Sequence, residues 1–269
     1  MDWTQIILLI GLGLLVGFIG TLIGAGGGFI LVPVLLLLYP DFKPEVITSI
    51  SLGVVFLNAA SGSVAYAKMK RIDYKSAIYF AVATLPGAII GAFLTSYIPR
   101  RIFDLILGVI LLVISIFLLI NPKEGAFSNK DASNVNRELT DKSGQHYSYS
   151  VNLRLGIILS FFVGFLSSLL GIGGGIIHVP ALTSLLNFPI HIATATSHFI
   201  LAIMALAGTL VHIIQGNLKD GWLTILLIGT GVTGGAQLGA YFSHHVKAGW
   251  IIRALAISLL LVGVRLLFM

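Results

Sequence analysis

The chain has 269 residues, of which 57% are hydrophobic and 10% charged, with a mean hydropathy of +1.02. A soluble domain carries about 25% charged residues to cover its water-facing surface, so 26 charges on 269 residues exclude an ordinary soluble enzyme and a disordered chain. The net charge of +6 fits basic cytoplasmic loops of a membrane protein, and zero cysteines exclude disulfides, thiolate metal sites and a cysteine nucleophile.

A helix needs about 20 apolar residues to cross the hydrocarbon. The first such run, 3–23, follows Asp2 without a basic leader region and is read as a retained span. Residues 24–28, four glycines and Ala25, interrupt it, and a short apolar stretch follows at 29–39. Longer runs come at 46–67, 76–97 and 102–120. Residues 121–152 are polar and read as a solvated, flexible linker. Five further apolar pieces follow, at 155–170, 176–186, 192–214, 222–243 and 250–268.

The second set repeats the first. Residues 17–33 read GFIGTLIGAGGGFILVP and residues 164–180 read GFLSSLLGIGGGIIHVP, identical at ten of seventeen positions with an offset of 147. Thr48-Ser49-Ile50-Ser51 then matches Thr194-Ala195-Thr196-Ser197, and the stretch at 86–92 matches 234–240. This duplication predicts an all-α polytopic membrane protein with repeat 1 over 1–121, a cytoplasmic linker over 122–153 and repeat 2 over 154–269. With the 68–75 loop inside, eleven Lys and Arg lie on the cytoplasmic face and five outside, which puts both termini outside. Five segments per half make the halves inverted repeats. The two short segments are expected to be half-helices that turn back, leaving this parity unchanged.

Glycine-interrupted short segments in two repeats point to a transport site near the midplane. Gly24, Gly26, Gly27 and Gly28, with Gly171, Gly173, Gly174 and Gly175, allow positive φ and close backbone approach. Their amides and the helix starts behind them suit a small anion. The plainer reading, tight helix packing, fits Gly87/Gly91 and Gly235/Gly239 better. A dinucleotide fingerprint is excluded, because Phe29 and Ile176 stand where a third glycine is required.

Polar residues inside apolar runs must face the bundle or a cavity. Thr48, Ser51, Asn58, Thr194, Ser197, His198 and Gln237 are therefore candidate anion ligands beside the glycines. Each, taken singly, also suits a hydrogen bond to backbone or a neighbouring helix. No carboxylate lies mid-span, so His178 and His198 are the candidates for proton coupling. Ser197 and His198 are adjacent and do not face one another on a helix, and no His–carboxylate metal spacing occurs in the spans, so catalysis is not expected. A membrane receptor or assembly factor gives no reason for duplicated glycine breaks.

The motif Gly-x-Gly-Gly-Gly-x-x-x-x-Pro at 24–33 and 171–180, with Ala193-Thr194-Ala195-Thr196-Ser197 and Gly-Ala-x-x-Gly-Ala at 87–92, resembles the sulfite exporter TauE/SafE (TSUP) family over nearly the whole chain. The resemblance implies an inner-membrane permease, mostly an exporter, for sulfite, thiosulfate or organosulfonates. It maps the family's motif onto the glycines named above and onto Thr194 and Ser197. A carboxylate or sulfate is the alternative cargo. Expected partners are a small anion and the lipid bilayer, with a homo-oligomer allowed; neither nucleic acid nor a cofactor is expected, and no ATP-binding motif is present.

Overall fold

A computed structural model describes residues 2–120, 134–219, 221–243 and 248–267. Its elements are α1 (Trp3–Ile23), α2 (Gly28–Leu38), α3 (Pro44–Lys68), α4 (Tyr74–Thr95), α5 (Arg100–Ile120), β1 (Asn134–Thr140), β2 (His146–Asn152), α6 (Leu153–Leu170), α7 (Gly175–Ser184), α8 (Ile190–Ile214), α9 (Trp222–Phe242) and α10 (Ala248–Leu267). Among the described residues six helices are long and apolar enough to cross a membrane. Helices α2 and α7, with 11 and 10 residues, reach only about 15 Å at 1.5 Å per residue, half the hydrocarbon thickness.

Local chemistry places the breaks. Gly24 takes the left-handed conformation at φ 83°, which stops α1, and the Ala25 N–H donates back to the Gly20 carbonyl. The chain then reverses, so that Gly27 lies against Val16 and Gly20 of α1. Gly171 ends α6 in the same way at φ 68°. Pro44 occupies the first turn of α3, where its missing N–H costs nothing. Asp73 caps α4 by accepting from the Ser76 N–H.

The helices pair by exchange between the repeats. Gly13 and Gly17 of α1 press on the backbone of Ile228 and Val232 in α9, while Gly231, Gly235 and Gly239 press back on Ile10, Leu14 and Phe18. The equivalent pair is α4 with α6, where Gly87 and Gly91 meet Phe161 and Phe165 and Gly164 meets Thr84. Without side chains at these positions the backbones approach closely enough for dispersion to hold them together. Gly87, Gly91, Gly235 and Gly239 are thus packing residues, as their spacing predicts.

Helices α3 and α8 form the centre. They run antiparallel, with Gly62 against the His198 ring and Gly208 against Leu52. Helices α5 and α10 also run antiparallel, since Gly108 meets Gly263 and the Ser115 hydroxyl donates to the Ala256 carbonyl at 2.7 Å. The outer faces carry Trp3, Ile7, Val82 and Leu261 exposed, while Thr48, Asn58, Ser167 and His198 are buried. This polarity is that of a protein solvated by lipid.

The linker differs from its reading as flexible chain. Residues 134–152 form an antiparallel hairpin, pairing Asn134 with Asn152 through to Thr140 with His146. It docks on the α3–α4 turn, where Arg71 and Asp141 pair at 3.2 Å with both side chains buried. Lys142 N–H donates to the Met69 carbonyl, and the Tyr149 hydroxyl donates to Asp73 at 3.0 Å. Alternating strand residues with Val151 and Tyr149 turned inward give the hairpin an apolar face that a purely solvated linker lacks. The linker's first part, including Lys123 and Lys130, lies outside the described residues, as does Lys247.

Candidate functional site

The two glycine turns meet at the middle of the molecule, beside Val55 of α3 and Leu201 of α8. Gly26, Gly27 and Gly173 hold φ of 77°, 81° and 73°, which side-chain-bearing residues rarely adopt. Gly28 and Gly175 are required for space. A methyl group on Gly28 would lie 2.6 Å from the Gly171 carbonyl oxygen, and one on Gly175 would overlap the Gly24 carbonyl. Each short helix therefore begins against the turn of the other repeat. Backbone of the opposite turn packs directly beside the first residue of each, so the two turns are in close contact.

The flanking hydroxyls hold these turns in place. Ser51 donates to the Gly171 carbonyl at 2.6 Å, and its counterpart Ser197 donates to the Gly24 carbonyl at 3.3 Å. Thr194 stacks against Gly24 but gives its proton to the Ile190 carbonyl at 2.8 Å. Thr48 stacks against Gly171, and its hydroxyl is buried without a partner. The structure thus gathers the eight glycines with Thr48, Ser51, Thr194 and Ser197, and it commits three of the four hydroxyl protons to backbone.

Asn58 and His198 meet through a residue that sequence reasoning missed. The Thr21 hydroxyl donates to Asn58 Oδ1 at 2.8 Å and lies 3.1 Å from His198 Nε2. Tyr66 donates to the Thr21 carbonyl at 2.8 Å, and its ring meets the His198 ring edge-on at 5.6 Å. All four side chains are buried. Thr21 lies within the duplicated stretch, opposite Ser168, and a hydroxyl in both copies of an apolar motif was the available signal.

Two candidates lie elsewhere. His178 Nε2 is 3.1 Å from Ser160 Oγ, and its ring faces Phe80, so it packs between α4, α6 and α7 rather than beside His198. Gln237 is exposed and donates to the Ser61 carbonyl at 2.7 Å, bridging α9 and α3.

At the hairpin, outside the spans, burial works to raise the Asp141 carboxyl. Hydrogen bonds from Ser143, Gln145 and Arg71 outweigh it and hold the group down at about 2. Burial, followed by the Asp73 carboxylate, raises the Tyr149 phenol, which keeps it a donor.

The sequence that forms these glycine turns matches a known family. The Sulfite exporter TauE/SafE profile covers residues 9–266. The chain belongs to this family. It is 35% identical over 268 residues, 97% of each chain, to "Probable membrane transporter protein YunE" of Bacillus subtilis. It is 28% identical over 211 residues to "Probable membrane transporter protein MJ0441" of Methanocaldococcus jannaschii, covering 77% of this chain and 72% of the relative. A "Probable membrane transporter protein" of Xylella fastidiosa is 26% identical over 92% of this chain. No solved structure matches. The protein is accordingly a multi-pass membrane protein of a transporter family.

Proposed function

We propose that this TauE/SafE family member is a secondary transporter that exports small sulfur-containing oxyanions, such as sulfite, thiosulfate or an organosulfonate. The observation that carries this reading is the close-packed glycine junction beside α3 and α8, with the buried donors Thr48 Oγ1 and Asn58 Nδ2 of α3 left without partners. Unpaired buried donors cost free energy, and an acceptor-rich ligand arriving there repays it. The glycine turns and helix starts would supply backbone amides once the junction opens.

The repeats are inverted across the membrane, with both termini outside and the hairpin in the cytoplasm. The antiparallel contacts of α3 with α8 and of α5 with α10 support this arrangement, as does the excess of Lys and Arg in the loops assigned inside. Alternating access then follows from one repeat rocking against the other around the junction. The driving force is an ion gradient, the membrane potential or the substrate gradient, with His198 and His178 as proton carriers.

A thermal-shift series on the purified protein with sulfite, thiosulfate, sulfoacetate, taurine, sulfate and lactate tests the cargo. Stabilisation follows RT ln(1 + [L]/Kd), so the sulfur anions are expected to rank first. A stronger response to lactate or sulfate replaces the cargo, and a flat response to every anion, with no flux in proteoliposomes, overturns the transport reading.

A further inference from the structure

The glycine junction is nearly two-fold symmetric, but the polar groups beside it are not. On one flank, the space over Gly62 is bounded by Thr21 and the His198 ring. On the other, the space over Gly208 is bounded by Ser168 and Leu52. The repeat places Leu52 where the other side has His198, Met204 where it has Asn58, and His212 where it has Tyr66. Among the described residues the first flank links its groups through Thr21, whereas on the second the Ser168 hydroxyl is buried without a partner and His212 pairs away from it, with Asn217.

Proton counting gives that chain a direction. Thr21 has one hydroxyl proton, and it goes to Asn58 Oδ1 at 2.8 Å. Toward His198 Nε2, at 3.1 Å, the Thr21 oxygen is therefore an acceptor, which requires a proton on Nε2. The chain runs from His198 through Thr21 to Asn58. At its far end, Asn58 Nδ2 is buried with no partner, one helical turn along α3 from Val55, which touches Gly26. Two bare amide protons in an apolar interior are complementary to a ligand that only accepts. A cation would need lone pairs there instead. The direction holds for the neutral Nε2–H tautomer and for the charged imidazolium, which both carry that proton.

We propose that Thr21 is a positioning residue, orienting the Asn58 carboxamide so that its N–H pair binds an oxyanion at a single, one-sided site on this flank of the junction. This rests on the anion-transport reading above and adds where the anion sits and what aims the donor.

The test uses full-length protein in detergent with sulfite as the probe, reading the concentration that half-saturates the rise in melting temperature. Thr21→Val removes both bonds and is expected to raise that concentration about tenfold, the order for weakening one hydrogen bond to a charged ligand. Thr21→Ser should restore it, and Asn58→Asp, which turns the donor into a carboxylate, should abolish the response. Ser168→Ala, at the mirror position, should leave it unchanged. If Thr21→Val does not fold, Thr21→Ala removes the same bonds with less bulk. A purely structural Thr21 would lower the baseline melting temperature and leave half-saturation where it is. Wild-type half-saturation in the Thr21→Val or Thr21→Ala protein, or loss of response in Ser168→Ala, overturns the proposal while transport stands. Absence of any anion response or flux in the wild type sinks both.

Discussion

Glycine is required at some positions of this chain for its φ and at others for its missing side chain. At Gly175 the reason is space, since an added methyl overlaps the Gly24 carbonyl, which belongs to backbone and cannot swing away. Gly175→Ala should cost about 2 kcal/mol or more of stability, in the range for overpacking a core, seen as a lower melting temperature. Gly11 and Gly234 have nothing within 4 Å of an added methyl, so their alanine variants should melt like the wild type. Removing the hydroxyl of Ser51 or Ser197 strips a hydrogen bond from a buried carbonyl and should cost about 1 kcal/mol each. The 2.6 Å bond of Ser51 makes its alanine variant the worse of the two, against 3.3 Å for Ser197. Sequence alone singled out these serines by their duplicated position. It could not say that their protons are already committed, because the accepting carbonyls lie 120 and 173 residues away.

Elements were legible where they depend on local pattern. The boundaries of α1, α4 and α9 follow the apolar runs within a few residues, because hydrocarbon thickness sets helix length. The hairpin was not legible. Its strands mix polar and apolar residues in a stretch rich in Asn, Ser and charge, and they dock through Arg71, Met69 and Asp73 of a distant turn. Breaking one side of a buried pair costs about 3–5 kcal/mol. Arg71→Met should therefore loosen the hairpin from the α3–α4 turn, read as faster amide exchange over 134–152. The pH dependence has a definite sign. The Asp141 carboxyl titrates at about 2 in the fold, below the unfolded value of about 3.9. Its contribution is full above about pH 4 and is lost as pH falls toward 2. Protection of the hairpin amides, measured against the exchange of an unstructured peptide at the same pH, should be flat from pH 5 to 7 and fall below pH 4.

For the whole molecule, the exchanged pairing of α1 with α9 and α4 with α6 makes neither repeat complete alone, since each lends its first helix to the fourth helix of the other. The proposed inversion of the repeats places matching loops on opposite faces. The chain has no cysteine, so single replacements report on this directly. In intact cells, Lys219→Cys and Asp41→Cys should react with a membrane-impermeant thiol reagent, while Lys75→Cys and Gln145→Cys should react only after lysis. Labelling of Lys75→Cys and Lys219→Cys from the same side would refute the inversion. Proton coupling is also a property of the whole cycle. Replacing His178 and His198 together by Gln should abolish the dependence of anion flux on a pH gradient in proteoliposomes. Unchanged gradient dependence in that variant would exclude both.

The sequence by itself determined the membrane solvent, the ten apolar segments, the duplication and the central glycine breaks. The duplication follows from comparing the two halves directly; the others follow from composition and from patterns within a few turns of chain, where the 10% charge and the spacing of glycines act. Only the tertiary structure decided which candidates meet. It put Thr21 between Asn58 and His198, moved His178 and Gln237 away, and set the hairpin on Arg71. The reason is hydrogen-bond stoichiometry. A hydroxyl has one proton to give, and whether it remains for a ligand depends on which distant acceptor the fold brings within reach.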